Sequence, residues 1–169
     1  MKTLKGKYTP KKPSKYKGDP TNIIYRSSWE LKFMKWCDLR EDVVEWQSEE
    51  FSIPYKHPLD GKFHRYFPDF KIRVKNKEDI VETWVIEIKP NNQTKEPKKQ
   101  TRMTKRYINE VSRYAINKYK WNYAEEWCKD RNYKFVIFTE KELAISAVSY
   151  THLRAHETEA DLVCRLLLE

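Results

Sequence analysis

Hydrophobic positions along the chain follow two different periods. Spacings of three and four residues at Trp29, Phe33 and Trp36 predict an amphipathic helix within positions 21–40, with Ser27 and Ser28 as candidate N-caps. The same period predicts a long helix over 105–131. Short apolar or alternating runs predict strands at 43–47, 51–55, 84–89 and 134–139, and another that follows a turn at 58–62 and continues to 74. This order of helices and strands predicts an α/β fold.

The long helix carries many aromatic residues on its predicted apolar side. Its hydrophobic stripe is expected to consist of Tyr107, Val111, Tyr114, Ala115, Tyr119, Ala124 and Trp127. Core packing against the sheet is a more common role for such aromatics than stacking on nucleic-acid bases. The stripe therefore predicts a helix that covers one face of the sheet.

Two of the predicted strands place acidic residues where a hydrophobic side chain is usual. In the strand ending near position 74, alternation puts Phe70 and Ile72 on one face, while Asp69 and Lys71 lie on a charged face suited to DNA. In the strand at 84–89, Glu87 and Lys89 point the same way, two residues apart. One carboxylate, followed by a carboxylate and a lysine on one strand face, is the set that a metal-dependent phosphodiesterase needs. The acids hold a divalent cation, and the lysine positions or activates the attacking water.

Glu30 is a candidate third acid. It lies in the first turn of the first predicted helix, where a glutamate most often compensates the helix dipole. Considered alone, that common role is preferred. Together with Asp69 and Glu87, however, Glu30 is in a position to reach from the helix toward the acidic end of the sheet.

The charge of the chain indicates a polyanionic partner. The formal net charge is +9, and positions 1–20 are rich in lysine, tyrosine and proline. These positions predict a basic flexible arm, which either follows a phosphate backbone or is a solvated terminus. Double-stranded DNA is the first candidate partner, and a membrane is disfavoured because no apolar run approaches the length of a span. Candidate phosphate contacts are Arg65, Lys71, Lys98 and Lys99, although a solvated strand edge is the commoner role for Lys71.

Cysteine usage gives little support for a disulfide framework or a cysteine-based zinc site. Cys37 and Cys128 stand apart, without a CxxC pair. Cys164 belongs to a segment that reads as a translated sequencing adapter. Residues 148–158 and 161–169 reproduce, in one frame, two adapter blocks separated by the length of a sample index. We therefore expect residues 147–169 to be non-native and the natural chain to be cut short near Ser146. This segment holds two basic and four acidic residues, so the remainder is more basic still.

Four blocks carry a resemblance to a known family: residues 25–30, 64–70, 86–90 and 138–143. Pro68 and Asp69 supply the PD, and Glu87 with Lys89 the ExK, of the PD-(D/E)xK superfamily. The blocks more narrowly resemble the TnsA-type endonuclease N-terminal domain family and, within it, the head-completion nucleases of T-even-type tailed phages. TnsA-type proteins have a glutamine where Glu87 stands, so this chain is closer to the general ExK pattern at that position.

The resemblance implies a restriction-endonuclease-like core, with a mixed β-sheet flanked by helices, in a single nuclease domain over residues 21–146. It implies that Glu30, Asp69 and Glu87 bind Mg²⁺ or Mn²⁺ and that Lys89 sits by the attacking water. The activity would act on packaged DNA or its ends as the filled phage head is completed. Portal or neck proteins would be the partners, in the virion head or in the host cytoplasm during assembly.

Three alternatives remain open. A non-catalytic DNA-binding head-completion protein would not need the intact acid set of Glu30, Asp69, Glu87 and Lys89. A TnsA-like transposase subunit would be expected to carry a further partner-binding domain. A mismatch-nicking endonuclease of the very-short-patch type shares the fold but uses a Cys/His zinc site, for which the cysteines give no support.

Overall fold

The computed structural model describes residues 4–143 of the 169-residue chain. The expected adapter-derived segment at 147–169 lies outside these residues. Within the described part, none of the helices combines the length and apolarity needed to cross a bilayer. Residues 4–143 form three α-helices, α1 (Ser28–Leu39), α2 (Asn91–Thr94) and α3 (Lys105–Lys129), and a 3₁₀ turn at Pro13–Lys15. Its strands are β1 (Gly6–Tyr8), β2 (Ile23–Tyr25), β3 (Val43–Ser48), β4 (Ile53–Lys56), β5 (Phe63–Tyr66), β6 (Phe70–Lys75), β7 (Val81–Ile88) and β8 (Lys134–Phe138).

The central sheet is mixed, as the restriction-endonuclease-like core requires. Its strand order is β3-β6-β7-β8. The first three strands pair antiparallel, and β8 runs parallel to β7. A parallel neighbour needs a long crossover, which α3 supplies between β7 and β8. The predicted α/β class and mixed sheet are thus confirmed.

Helix α1 covers one face of this sheet. Ser27 caps its first turn by accepting a hydrogen bond from the Glu30 amide at 3.1 Å, as the cap chemistry predicts. Its buried side includes Phe33, whose ring centre lies 4.8 Å from that of Phe70 in β6 and 5.7 Å from that of Phe138 in β8. Burial of these aromatics fixes the first turn of α1 near the ends of β6 and β8.

The hairpin of β4 and β5 forms a separate two-stranded sheet. We expected the turn at 58–62 to lead directly into the strand that carries Asp69, but the structure divides this stretch. Strand β5 ends at Tyr66, Pro68 is buried, and Asp69 lies immediately before β6. Proline cannot donate to a strand ladder, so the chain leaves one sheet and enters the other at this point. Asp69 thereby comes to lie at the junction of the two sheets.

Helix α3 packs against the hairpin and the adjoining sheet, but its buried side is rotated from the predicted one. Of the expected stripe, Tyr107 and Ala124 are buried as predicted, whereas Val111 and Tyr119 are exposed. The buried positions are Tyr107, Asn117, Trp121, Ala124 and Cys128. The reason is that the hairpin, with buried Tyr55 and Tyr66, provides the contacting surface for the middle of the helix, and no local period reports where that surface lies.

The prediction of a flexible basic arm at positions 1–20 is wrong for the residues that the structure describes. Strand β1 pairs antiparallel with β2, and Tyr16 is buried with its ring centre 4.7 Å from that of Trp46. Asp38, fully buried in α1, accepts hydrogen bonds from the Tyr8 hydroxyl at 2.8 Å and from the amides of Lys11 and Lys12 at 2.6 and 2.9 Å. Hydrogen bonds to β2 and to Asp38, both distant in the sequence, supply the stabilisation that this lysine-rich segment lacks by itself.

Replacing Asp38 by Ala is expected to lower the free energy of unfolding by about 3 kcal/mol, because three donors lose a buried, charged acceptor. Urea unfolding measures this loss, and limited trypsin digestion should show earlier cleavage among the N-terminal lysines. Glu41→Ala, which changes an exposed acid just after the helix, is the matched control. Equal stability of the two variants would contradict the anchoring role of Asp38.

Candidate active site

The structure brings together Asp69, Glu87 and Lys89. The register of β6 and β7 places Phe70 opposite Ile86, so Asp69 comes beside the end of β7, where its Oδ2 accepts a hydrogen bond from the Ile88 amide at 2.7 Å. Lys89 Nζ lies 2.8 Å from Glu87 Oε1, which agrees with their predicted placement on one face. Glu87 is only 4% exposed. Two carboxylates and an ammonium group thus meet at a buried sheet end.

Tyr66 and Lys120 also belong to this site, although the sequence reasoning assigned them no role. The Tyr66 hydroxyl donates a 2.6 Å hydrogen bond to Glu87 Oε2. Lys120 of α3 lies over the ring of Tyr66, with Nζ 5.6 Å from the ring centre, and over Tyr55 at 5.7 Å. The signal available for Lys120 was its helical spacing from the buried Asn117 and Ala124. Lys120 could be recognised as part of the site only after the structure had shown which residues of α3 are buried.

Burial and the charge of a neighbouring acid shift the pKa of Asp69. Desolvation, followed by the nearby charge of Glu87, raises the pKa of Asp69 from 3.8 to about 8, although Lys89 and the Ile88 amide act in the opposite direction. Burial by itself lowers the pKa of Lys89, but attraction to Glu87 and Asp69 outweighs it, and the net pKa is raised. Lys89 therefore stays charged, and its ammonium group lies beside two carboxyl groups.

Glu30 lies close enough for its charge to contribute to the raised pKa values of both Asp69 and Lys89. Its carboxylate is nevertheless engaged at the helix start. Oε2 accepts from the Arg26 amide at 2.7 Å and Oε1 from the Ser27 hydroxyl at 2.9 Å. The Ser27 side chain in turn accepts from the Glu30 amide, so the arrangement is like a capping box, except that the carboxylate accepts from the Arg26 amide, one residue before the cap. The common helix-start role is thus present, at the edge of the acidic site.

The four candidate DNA-binding residues occupy different surfaces. Arg65 donates to Ser52 Oγ at 3.0 Å and covers the ring of Phe67. Lys71 lies over the ring of Phe51, with Nζ 5.2 Å from its centre. Lys98 and Lys99 are exposed in the segment between α2 and α3. Their contacts with DNA therefore stay predictions.

The donor set fits a divalent cation such as Mg²⁺. Hard cations of this kind are held by carboxylate oxygens, and Asp69 and Glu87 supply them from adjacent strand ends. Added positive charge would also stabilise the charged form of half-buried Asp69, whose pKa is raised by desolvation and by the neighbouring Glu87.

In EDTA, the free energy of unfolding is expected to fall as the pH rises from about 4 to about 8. The folded chain keeps a proton on Asp69 across this window, whereas the unfolded chain releases it near pH 3.8. The contribution of Asp69 to stability is therefore complete below pH 3.8 and is lost as the pH rises to about 8. Urea unfolding over a pH series measures the slope. Asp69→Asn should remove this part of the slope, and an unchanged slope in that variant would contradict the raised pKa.

Comparison with known proteins agrees with this geometry. The family described as TnsA-like endonuclease N terminal matches residues 40–140. The curated protein "Head completion nuclease" of Enterobacteria phage T4 is 39% identical over 142 residues, which span 82% of this chain and 92% of that protein. The relationship supports a nuclease function. On this evidence the chain belongs to the TnsA-like endonuclease N-terminal family.

Proposed function

We propose that the protein is a metal-dependent DNA endonuclease whose active site is formed by Asp69, Glu87 and Lys89, with Glu30 at its edge. The observation that carries the proposal is the pair of acids where β6 begins and β7 ends, with Glu87 buried, Asp69 half-buried and Lys89 Nζ 2.8 Å from Glu87. Asp69 and Glu87 would hold Mg²⁺ or Mn²⁺, which when bound neutralises charge on the phosphate and the leaving oxygen. Glu30 is a further ligand if its capping hydrogen bonds are exchanged.

The protein's own side chains have distinct parts in phosphodiester hydrolysis. Lys89 is held charged beside Glu87, so it stabilises negative charge on the scissile phosphate or on the attacking water. Tyr66 orients Glu87 through its hydroxyl. The Ile88 amide fixes one oxygen of Asp69. These hydrogen bonds preorganise the acids before DNA arrives, which lowers the reorganisation needed in the transition state.

A path for the DNA backbone is suggested by cations beside the site. Lys120, whose ammonium group is partly buried above Tyr66, is placed to hold a phosphate next to the scissile one. A polar cavity of about 440 Å³ lies between the α2 segment and the first half of α3, and its lining includes Lys95, Arg106 and Arg113. Lys98 and Lys99 follow on the same segment, while Arg65 and Lys71 serve the hairpin side.

The name of the phage T4 relative supports a biological setting. We propose that the chain acts on packaged DNA or its ends when a phage head is completed, with portal or neck proteins as partners. Its place of action would be the virion head or the cytoplasm of the infected host. The resemblance over most of both chains is the support for this role.

The proposal is tested by incubating the protein with linear and with covalently closed duplex DNA in Mg²⁺, Mn²⁺ or EDTA. Cleavage in the metal ions and none in EDTA is the expected result. Cutting of closed circles identifies internal cleavage, whereas action on linear DNA alone identifies end trimming. DNA binding without cleavage under every condition would overturn the proposal in favour of a non-catalytic head-completion protein.

A further inference from the structure

A second group of metal-ligating side chains lies at the tip of the β4–β5 hairpin. Asp60 sits between two histidines: its Oδ1 is 3.5 Å from His57 Nδ1, and its Oδ2 is 2.8 Å from His64 Nε2. The two imidazole centres are 4.7 Å apart. One donor atom from each of the three residues lies within 4.8 Å of the others. None of these residues belongs to the acidic site.

The turn itself builds this arrangement. The His57 amide donates to the Lys62 carbonyl at 2.8 Å, and the Gly61 amide donates to the His57 carbonyl at 2.9 Å. Gly61 has a φ of 68°, a conformation that suits glycine and lets the chain reverse tightly. Asp60 Oδ1 accepts from the Lys62 amide at 3.0 Å, which holds the carboxylate in place. The strand register then sets His64 opposite Tyr55, two residues from His57.

The chemistry of these donors favours a divalent metal ion of borderline softness, such as Zn²⁺, over Mg²⁺. Imidazole nitrogen with one carboxylate oxygen is a common ligand set for Zn²⁺, whereas Mg²⁺ prefers oxygen alone. Ligands at about 2.0–2.1 Å from a tetrahedral Zn²⁺ lie roughly 3.3 Å from one another. The carboxylate–imidazole distances of 2.8 and 3.5 Å bracket that separation.

We propose that His57, Asp60 and His64 form a Zn²⁺ site, separate from the acidic site, with its fourth position open to water. Because the two histidines come from the two sides of the hairpin and Asp60 from its turn, a bound ion would cross-link the two strands at the turn. His64 shares a strand face with Tyr66, the residue that donates to Glu87. Zinc therefore steadies the strand that orients the acidic site, without taking part in cleavage.

The site is tested by titrating ZnCl₂ against a chromogenic chelator with Asp69→Asn protein, in which the acidic site is weakened. His57→Gln and Asp60→Asn in the same background should each lower the affinity at least about tenfold. The matched control is Asp79→Asn, which changes an exposed acid in a different turn. Co²⁺ should give the intense visible absorption of a tetrahedral site in the parent and lose it in His57→Gln.

Thermal unfolding provides an independent measurement. Zn²⁺ should raise the midpoint of the parent and leave that of His57→Gln unchanged, since only a folded hairpin assembles all three ligands. Retained affinity in both hairpin variants, or an equal loss of affinity in Asp79→Asn, would overturn the proposal. Circular dichroism of each variant establishes that the fold is intact before binding is compared.

Discussion

Asp69→Asn is expected to abolish DNA cleavage, with a rate loss of at least about a hundredfold, while DNA binding stays equal or becomes tighter. The amide has the shape of the carboxyl, and its oxygen still accepts a hydrogen bond from the Ile88 amide. What is lost is a carboxyl group that a bound cation would hold in its charged form, although without metal Asp69 keeps its proton up to about pH 8. Loss of this ligand weakens cation binding, whereas DNA affinity in EDTA should change little below about pH 8 and rise above it, where the parental Asp69 is charged and repels phosphates.

Single-turnover cleavage in Mg²⁺ measures the rate, and fluorescence anisotropy in EDTA measures affinity at a fixed salt concentration. Asp79→Asn is a suitable control, because Asp79 is an exposed acid in the turn between β6 and β7 whose positive φ asparagine also adopts. Metal-dependent cutting by Asp69→Asn at the parental rate would refute the assignment of Asp69. A similar loss in both variants would show that the effect is not specific to the site.

Lys89→Met is expected to reduce the cleavage rate about a hundredfold and to change DNA affinity only slightly. Its ammonium group lies 2.8 Å from Glu87 Oε1 at the end of β7. Its charge is therefore placed to act on the scissile phosphate and not on the phosphates along the rest of the duplex. The substitution also leaves Glu87 buried without its cationic partner, which lowers stability. Activity is therefore compared at a temperature where urea unfolding shows the variant to be folded.

Lys89→Arg separates the loss of cleavage rate from the loss of stability. Arginine keeps a positive charge for Glu87 and should recover most of the stability, but its planar, always-protonated group should recover only part of the rate. Lys129→Met, at the exposed C-terminal end of α3, controls for the loss of one surface charge. A large loss of affinity with normal turnover in Lys89→Met would contradict the role given to Lys89.

The acidic site was predictable in part because its main components lie close together along the chain. Glu87 and Lys89 share one face by the period of a strand, and the structure places their charged atoms in contact. Asp69 was recognised by the break in apolar alternation, yet its position at the start of a new strand depended on buried Pro68. Glu30 was recognised as a helix-start acid, and the structure gives it that capping role at the edge of the site.

Other features depended on contacts between distant parts of the chain. Tyr66 reaches Glu87 across 21 positions, and Tyr8 reaches Asp38 across 30. Lys120 joins the site only because α3 lies against the hairpin. The histidines at 57 and 64 gave no metal pattern in the sequence, since their meeting at Asp60 depends on the tight turn at Gly61.

The sequence by itself determined the α/β class, most helix and strand positions, and the faces on which Phe70, Glu87 and Lys89 lie, because hydrophobic period reports local backbone geometry. Tertiary structure decided which side of α3 is buried, how the N-terminal segment is anchored, and which side chains meet the two acids. These depend on strand register and on the surface that each element packs against. Both are set by burial and hydrogen bonds between residues far apart in the chain, which no local period encodes.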